Sequence, residues 1–127
     1  MEGKKKILIV EDDVFLREIY TEILTKEGYL IEAAEDGLKG IEKIRKGGWD
    51  LVLLDIIMPV MSGVDVVHEL RKDPEFKPGN YYKKLIFLTN LDNDQEIKEA
   101  LRFSDGYLIK SQLTPGDVIN EVRMYLN

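Results

Sequence analysis

The chain has no cysteine and a single histidine, His68. The first absence excludes disulfides and thiolate metal centres, and the second excludes a multi-histidine zinc site. A metal bound here must be held mainly by oxygen, which points to Mg²⁺, Mn²⁺ or Ca²⁺. No apolar run approaches the roughly 20 residues that a membrane span needs. The start, Met1-Glu2-Gly3-Lys4, has no apolar signal-peptide core, so a cytoplasmic location is expected. An excess of positive charge is also lacking. The net charge of −6 argues against wholesale binding to nucleic acid or to an anionic membrane. The short basic run Lys4-Lys5-Lys6 reads as the solvated start of a strand rather than a docking patch.

What remains fits a single domain spanning residues 1–127, long enough to bury a core without staples. With 44% hydrophobic and 33% charged residues, the composition is that of a folded globular chain rather than a disordered one. Five apolar runs stand out: Ile7-Leu8-Ile9-Val10, Leu30-Ile31 with Ala33-Ala34, Leu51-Val52-Leu53-Leu54, Leu85-Ile86-Phe87-Leu88 and Tyr107-Leu108-Ile109. Unbroken aliphatic runs of this length fit strands buried on both faces of a parallel sheet. Helical stripes lie between them: Leu16, Ile19, Tyr20 and Ile23; Leu38, Ile41 and Ile44; Val64, Val67 and Leu70; a weaker Ile97, Ala100 and Leu101; and finally Ile119, Val122 and Leu126. Breakers separate the elements at Gly28, Gly47-Gly48, Pro74, Pro78-Gly79 and Gly106. Five βα repeats predict a three-layer, flavodoxin-like α/β fold, with a parallel five-stranded sheet in the order 2-1-3-4-5. The stretch from Asp73 to Lys84 reads as a long polar surface loop.

Ligands of open α/β sheets bind beyond the carboxyl ends of the strands. Glu11, Asp12 and Asp13 follow the first run, Asp55 the third, Thr89 and Asn90 the fourth, and Lys110 the fifth. Taken alone, a carboxylate after a strand is more often a helix cap or a loop residue than a ligand. Acids, a hydroxyl and an ammonium delivered to one rim by adjacent strands are harder to explain that way. Clustered carboxylates raise one another's pKa or recruit a cation. Cation, ammonium and hydroxyl together describe a clamp for a phosphoryl group, with Asp55 placed to become an aspartyl-phosphate.

These residues resemble the receiver domain of two-component response regulators over nearly the whole chain. The segments that carry the resemblance are Ile7 to Asp13, Leu53-Leu54-Asp55-Ile56-Ile57-Met58-Pro59-Val60-Met61-Ser62-Gly63, Leu88-Thr89 and Gly106 to Lys110. The resemblance implies a signalling switch rather than an enzyme, promoting only its own phosphorylation and dephosphorylation. Asp55 would be the phosphoacceptor, loaded by a histidine kinase or histidine phosphotransfer protein. Asp12, Asp55 and the backbone carbonyl of Ile57 would ligate Mg²⁺, and Glu11 would act through water. Lys110 and Thr89 would hold the phosphoryl oxygens, and Tyr107 would be the aromatic switch residue that moves with Thr89. Output would pass through the surface of the fourth helix, fifth strand and fifth helix, roughly Gln95 to Asn127. No effector domain fits in this length, so a complete chain would act through protein contacts, with no direct nucleic acid partner expected; the alternative is a domain excised from a longer protein.

Asp13 competes with its two neighbours for a ligand role, and the bland reading makes it the cap of the first helix. Two positions depart from the family pattern. Ser111 replaces the proline that usually follows the lysine after a cis bond, a geometry costing about 3 kcal/mol without proline. Asn90 stands where a small residue is preferred. Ile57 and Leu91 are apolar where polar side chains often orient an attacking water, which predicts a long-lived phosphoryl group. His68 and Trp49 are expected to lie away from the chemistry, Trp49 at the far end of its strand from Asp55. A receiver fold used only as an interaction module is the alternative reading. A Mg²⁺-dependent phosphohydrolase is disfavoured because no strand core is directly followed by an Asp-x-Asp pair and no cap domain is present to shape a small substrate.

Overall fold

Successive strand side chains point to opposite faces of the sheet, and that period of two determines how the layers stack. The computed structural model describes residues 3–90, 95, 98, 99 and 102–127. Its elements run β1 (Lys6–Val10), α1 (Val14–Lys26), β2 (Leu30–Ala34), α2 (Gly37–Arg45), β3 (Trp49–Asp55), α3 (Gly63–Arg71), a single turn α4 (Pro78–Tyr81), β4 (Tyr82–Thr89), β5 (Gly106–Ile109) and α5 (Pro115–Leu126). All strand pairs are parallel, and the order is β2-β1-β3-β4-β5, as the alternating pattern predicts.

Alternate residues of each strand feed two separate cores. Leu8, Val10, Val52, Leu54, Leu85 and Phe87 face α2 and α3 and pack with Ile41, Ile44, Val66, Val67 and Leu70. Ile7, Ile9, Leu51, Leu53, Ile86, Leu88 and Leu108 face α1 and α5 and pack with Tyr20, Leu24, Val118 and Val122. Both faces of the three inner strands are therefore dry, which accounts for their unbroken aliphatic sequences. β2 lies at an edge and is only partly buried, in line with its interrupted run.

The stretch from Asp73 to Lys84 departs from the loop expectation. It contains the turn α4, and β4 begins at Tyr82, three residues earlier than its aliphatic run. Aromatic packing explains the difference: Phe76 stacks on Tyr81 with ring centroids 5.8 Å apart, and Tyr82 is buried opposite Trp49. Gln95, Lys98, Glu99 and Arg102 are helical, whereas the apolar stripe Ile97, Ala100 and Leu101 lies outside the described residues. Among the described residues, no helix is long and apolar enough to cross a membrane.

Candidate functional site

Each strand on the acidic rim ends where its ladder ends, and that fixes which side chain faces the cleft. The Glu11 amide extends the β1–β2 pairing by donating to the Ala34 carbonyl at 3.1 Å. Asp13 then turns outward and caps α1, its Oδ1 accepting from the Leu16 amide at 3.0 Å. Asp55 closes β3, and the next amide, that of Ile56, still donates to the Leu88 carbonyl at 2.9 Å. The chain returns through Pro59-Val60-Met61, where Met61 N donates to Pro59 O at 2.8 Å and Val60 has φ 71°. This is the strained, positive-φ kind of γ-turn, uncommon for a β-branched residue. A capping box between Ser62 and Asp65 then starts α3.

The rim closes around one ammonium. Lys110 follows β5 and opens a short 3₁₀ turn (Lys110–Gln112). Its Nζ donates to Glu11 Oε1 at 2.7 Å and to Asp55 Oδ2 at 3.1 Å. The Lys110–Ser111 peptide is trans, as are all peptides among the described residues, and the ammonium still reaches both acids. All three side chains are dry: Lys110 is 9% exposed, Glu11 0% and Asp55 4%. Two carboxylates against one cation leave an excess negative charge where burial weakens screening by water.

That excess decides the protonation. Burial, together with the hydrogen bond and charge of Glu11, pushes the Asp55 carboxyl up to about 8. Burial acts on Glu11 in the same sense, but its hydrogen bonds to Asp55 and Lys110 outweigh it and leave Glu11 below its ordinary value. The two acids therefore titrate as a coupled pair, Asp55 raised and Glu11 lowered. Burial opposes the charge on Lys110, and the two carboxylates override it, raising its pKa.

Asp12 completes the cluster. It is exposed, and one carboxylate oxygen from each of Glu11, Asp12 and Asp55 lies within 4.8 Å of the others. Three hard oxygens at that spacing, facing a cleft of about 380 Å³, suit a small divalent ion with room left for water and phosphate oxygens. Leu16, Ile57, Asn90 and Lys110 line the same cleft.

The remaining predicted residues divide. Thr89 is fully buried at the end of β4, paired with Ile109 in the ladder beside Lys110. Tyr107 is half-buried against the core on the α2–α3 side of the sheet, beneath the rim rather than in the cleft. The Ile57 side chain is 55% exposed, and Leu91 lies outside the described residues. His68 is on the surface, its Nε2 3.2 Å from Glu99 Oε1. Arg17 escaped the sequence reading. Its guanidinium donates to the carbonyls of Glu11 at 2.9 Å and Asp12 at 3.4 Å. A basic residue one helical turn after an acidic run was the available signal, but surface arginines are too common for it to count.

A family model described as the response regulator receiver domain matches residues 7–123. The chemotaxis protein CheY of Thermotoga maritima is 40% identical over 117 residues, covering 91% of this chain and 92% of that protein. The transcriptional regulatory protein CusR of Escherichia coli K12 is 34% identical over 106 residues, 83% of this chain but only 44% of CusR. The chain therefore matches CheY nearly end to end and spans under half of the longer regulator. Among solved structures, the response regulator TrrA of Thermotoga maritima, crystallised in complex with Mg²⁺-BeF, superimposes with a TM-score of 0.78 at 34% identity over 96% of this chain and 99% of that one. The sheet order, the acid cluster at the strand ends and a match covering almost every residue lead to one conclusion: this chain belongs to the receiver domain family of two-component response regulators.

Proposed function

We propose that residues 1–127 act as one receiver domain whose Asp55 accepts a phosphoryl group from the phosphohistidine of a histidine kinase or histidine phosphotransfer protein. The observation that carries this reading is the Lys110 ammonium, shared between buried Glu11 and Asp55 beside a third carboxylate, Asp12. Asp12, Asp55 and the Ile57 carbonyl would hold Mg²⁺, with Glu11 acting through water. When bound, the ion supplies positive charge that offsets both the carboxylates and the incoming phosphoryl oxygens.

In the transfer, an Asp55 oxygen forms the new O–P bond as the P–N bond to the donor imidazole breaks, and the imidazole nitrogen keeps that electron pair. Lys110 then exchanges a carboxylate partner for a phosphoryl oxygen, and Thr89 donates to another. Tyr107 follows Thr89 as the two-state element that the phosphoryl group biases. Output passes to a protein partner through the face built by the helix around Gln95, by β5 and by α5. The chain promotes its own phosphorylation and hydrolysis and acts on no other substrate. A cytoplasmic location agrees with a kinase donor. The Mg²⁺-BeF complex of TrrA, a protein one-third identical, lends the cofactor assignment support.

Intact-mass measurement after incubation with acetyl phosphate tests the reading. Wild type should gain one phosphoryl group when Mg²⁺ is present and none after chelation, and Asp55→Asn should gain none. A wild type that never gains the group would leave the domain as an interaction module.

A further inference from the structure

We infer that Arg17 is a positioning residue for the acidic pair: its guanidinium clamps the backbone carbonyls of Glu11 and Asp12 and so sets where their carboxylates meet a divalent cation. The inference rests on the metal-assisted phosphoacceptor reading above and adds a residue to it.

Arg17 lies on α1 one turn beyond the cap, its amide donating to the Asp13 carbonyl at 2.9 Å. The helix is thus anchored on one side of the β1–α1 turn, and the side chain reaches back across it. A single nitrogen, Nη1, donates to Glu11 O at 2.9 Å and to Asp12 O at 3.4 Å. Arg17 lines a cleft with Glu35 and Glu42, yet among the described residues it forms no ion pair within 4.0 Å. Its charge is directed at main-chain oxygens. Charge-assisted bonds of this kind are stronger than neutral ones and fix geometry.

The two acids depend on that clamp unequally. Glu11 is also held through its own amide on Ala34 and its side chain on Lys110. The Asp12 side chain is exposed and, among the described residues, makes no hydrogen bond. The position of its carboxylate therefore follows from its backbone, and Arg17 is what holds that backbone from the helix side. Groups that orient metal ligands typically change affinity by about 10- to 100-fold when removed.

The test uses Mn²⁺ as the probe, with free ion followed by electron paramagnetic resonance. Wild type, Arg17→Met, Arg17→Lys and, as reference, Asp12→Asn are titrated, and urea midpoints are recorded with and without Mn²⁺. Arg17→Met should weaken Mn²⁺ binding about tenfold or more, and Arg17→Lys should recover part of the loss. The increase in urea midpoint caused by Mn²⁺ should shrink in step. A loss of metal-free stability with an unchanged Mn²⁺-induced increase would assign Arg17 a merely structural role and overturn the inference. Wild-type affinity in Arg17→Met would overturn it alone, whereas a wild type that binds no Mn²⁺ would overturn the metal reading and this inference together.

Discussion

Gly63 packs directly beneath Asp55: a Cβ at position 63 would lie 2.3 Å from the Asp55 carbonyl oxygen. The obstacle is backbone, so no side chain can rotate out of the way. The close approach is fixed by the Gly63 amide, which donates to Ile56 O at 2.8 Å. The first turn of α3 thus rests on the strand end that presents Asp55. Gly63→Ala should destabilise the protein by about 1–3 kcal/mol, the usual cost of overpacking. It should also slow phosphoryl uptake by shifting Asp55. Urea denaturation and intact-mass kinetics would check both, and wild-type values for both would contradict this account of the packing.

Removing the Lys110 ammonium leaves Glu11 and Asp55 buried with no counter-charge. Lys110→Met should cost about 3 kcal/mol in metal-free protein, in the range for breaking a buried pair. The loss should be larger at pH 9 than at pH 6, because at the lower pH the acids can take up protons instead. Urea midpoints at the two pH values are the measurement.

The raised pKa of Asp55 gives metal-free wild type an unusual pH profile. In the folded state the carboxyl keeps its proton up to about pH 8, while the unfolded carboxyl loses it near 3.8. Between those values the folded protein binds more protons, so stability falls as pH rises, with a slope approaching about 1.4 kcal/mol per pH unit for one proton. The lowered Glu11 works in the opposite direction at more acidic pH, below its ordinary value of 4.5. Saturating Mg²⁺ should flatten the decline above pH 5 by favouring the ionised acids. Urea titrations across pH 5 to 9, with EDTA and with Mg²⁺, would reveal it, and a rise in metal-free stability over that window would refute it.

Asp13 is a cap in this structure, its Oδ1 bonded to the Leu16 amide at 3.0 Å. Asp13→Ala should cost about 1 kcal/mol, the usual worth of an N-cap, and leave Mn²⁺ affinity at the wild-type level. Asp12→Asn should do the reverse. A marked affinity loss in Asp13→Ala would move the metal site by one residue.

Trp49 begins the strand that Asp55 ends, six residue steps or about 20 Å away at strand rise. It is locked in place, with Nε1 donating to Lys43 O at 2.8 Å and the Lys6 ammonium 4.4 Å from its ring centroid. Its emission should not change on addition of Mg²⁺. A saturable change would show that the sheet transmits metal binding along its length.

Layer order and the residues delivered to the rim follow from local sequence pattern. Hydrophobic alternation is local: each run states whether its strand is buried on one face or both, and parallel crossovers then leave little choice of strand order. For the same reason Glu11, Asp12, Asp55, Thr89 and Lys110 were legible as a set, since each directly follows a recognisable strand. Tyr82 was not, because the polar residues Lys83 and Lys84 hide the start of β4, which only packing against Trp49 and Phe76 reveals.

Where each acid of the run Glu11-Asp12-Asp13 points is set instead by long-range contacts. Consecutive side chains diverge according to where the ladder stops and the helix begins, and that point depends on contacts to Ala34, Leu16 and Arg17, which no local pattern encodes. The same holds for Asp55. Its raised pKa comes from burial and from Glu11, with Lys110 acting against both, and charges act on one another through space, over distances that only folding sets.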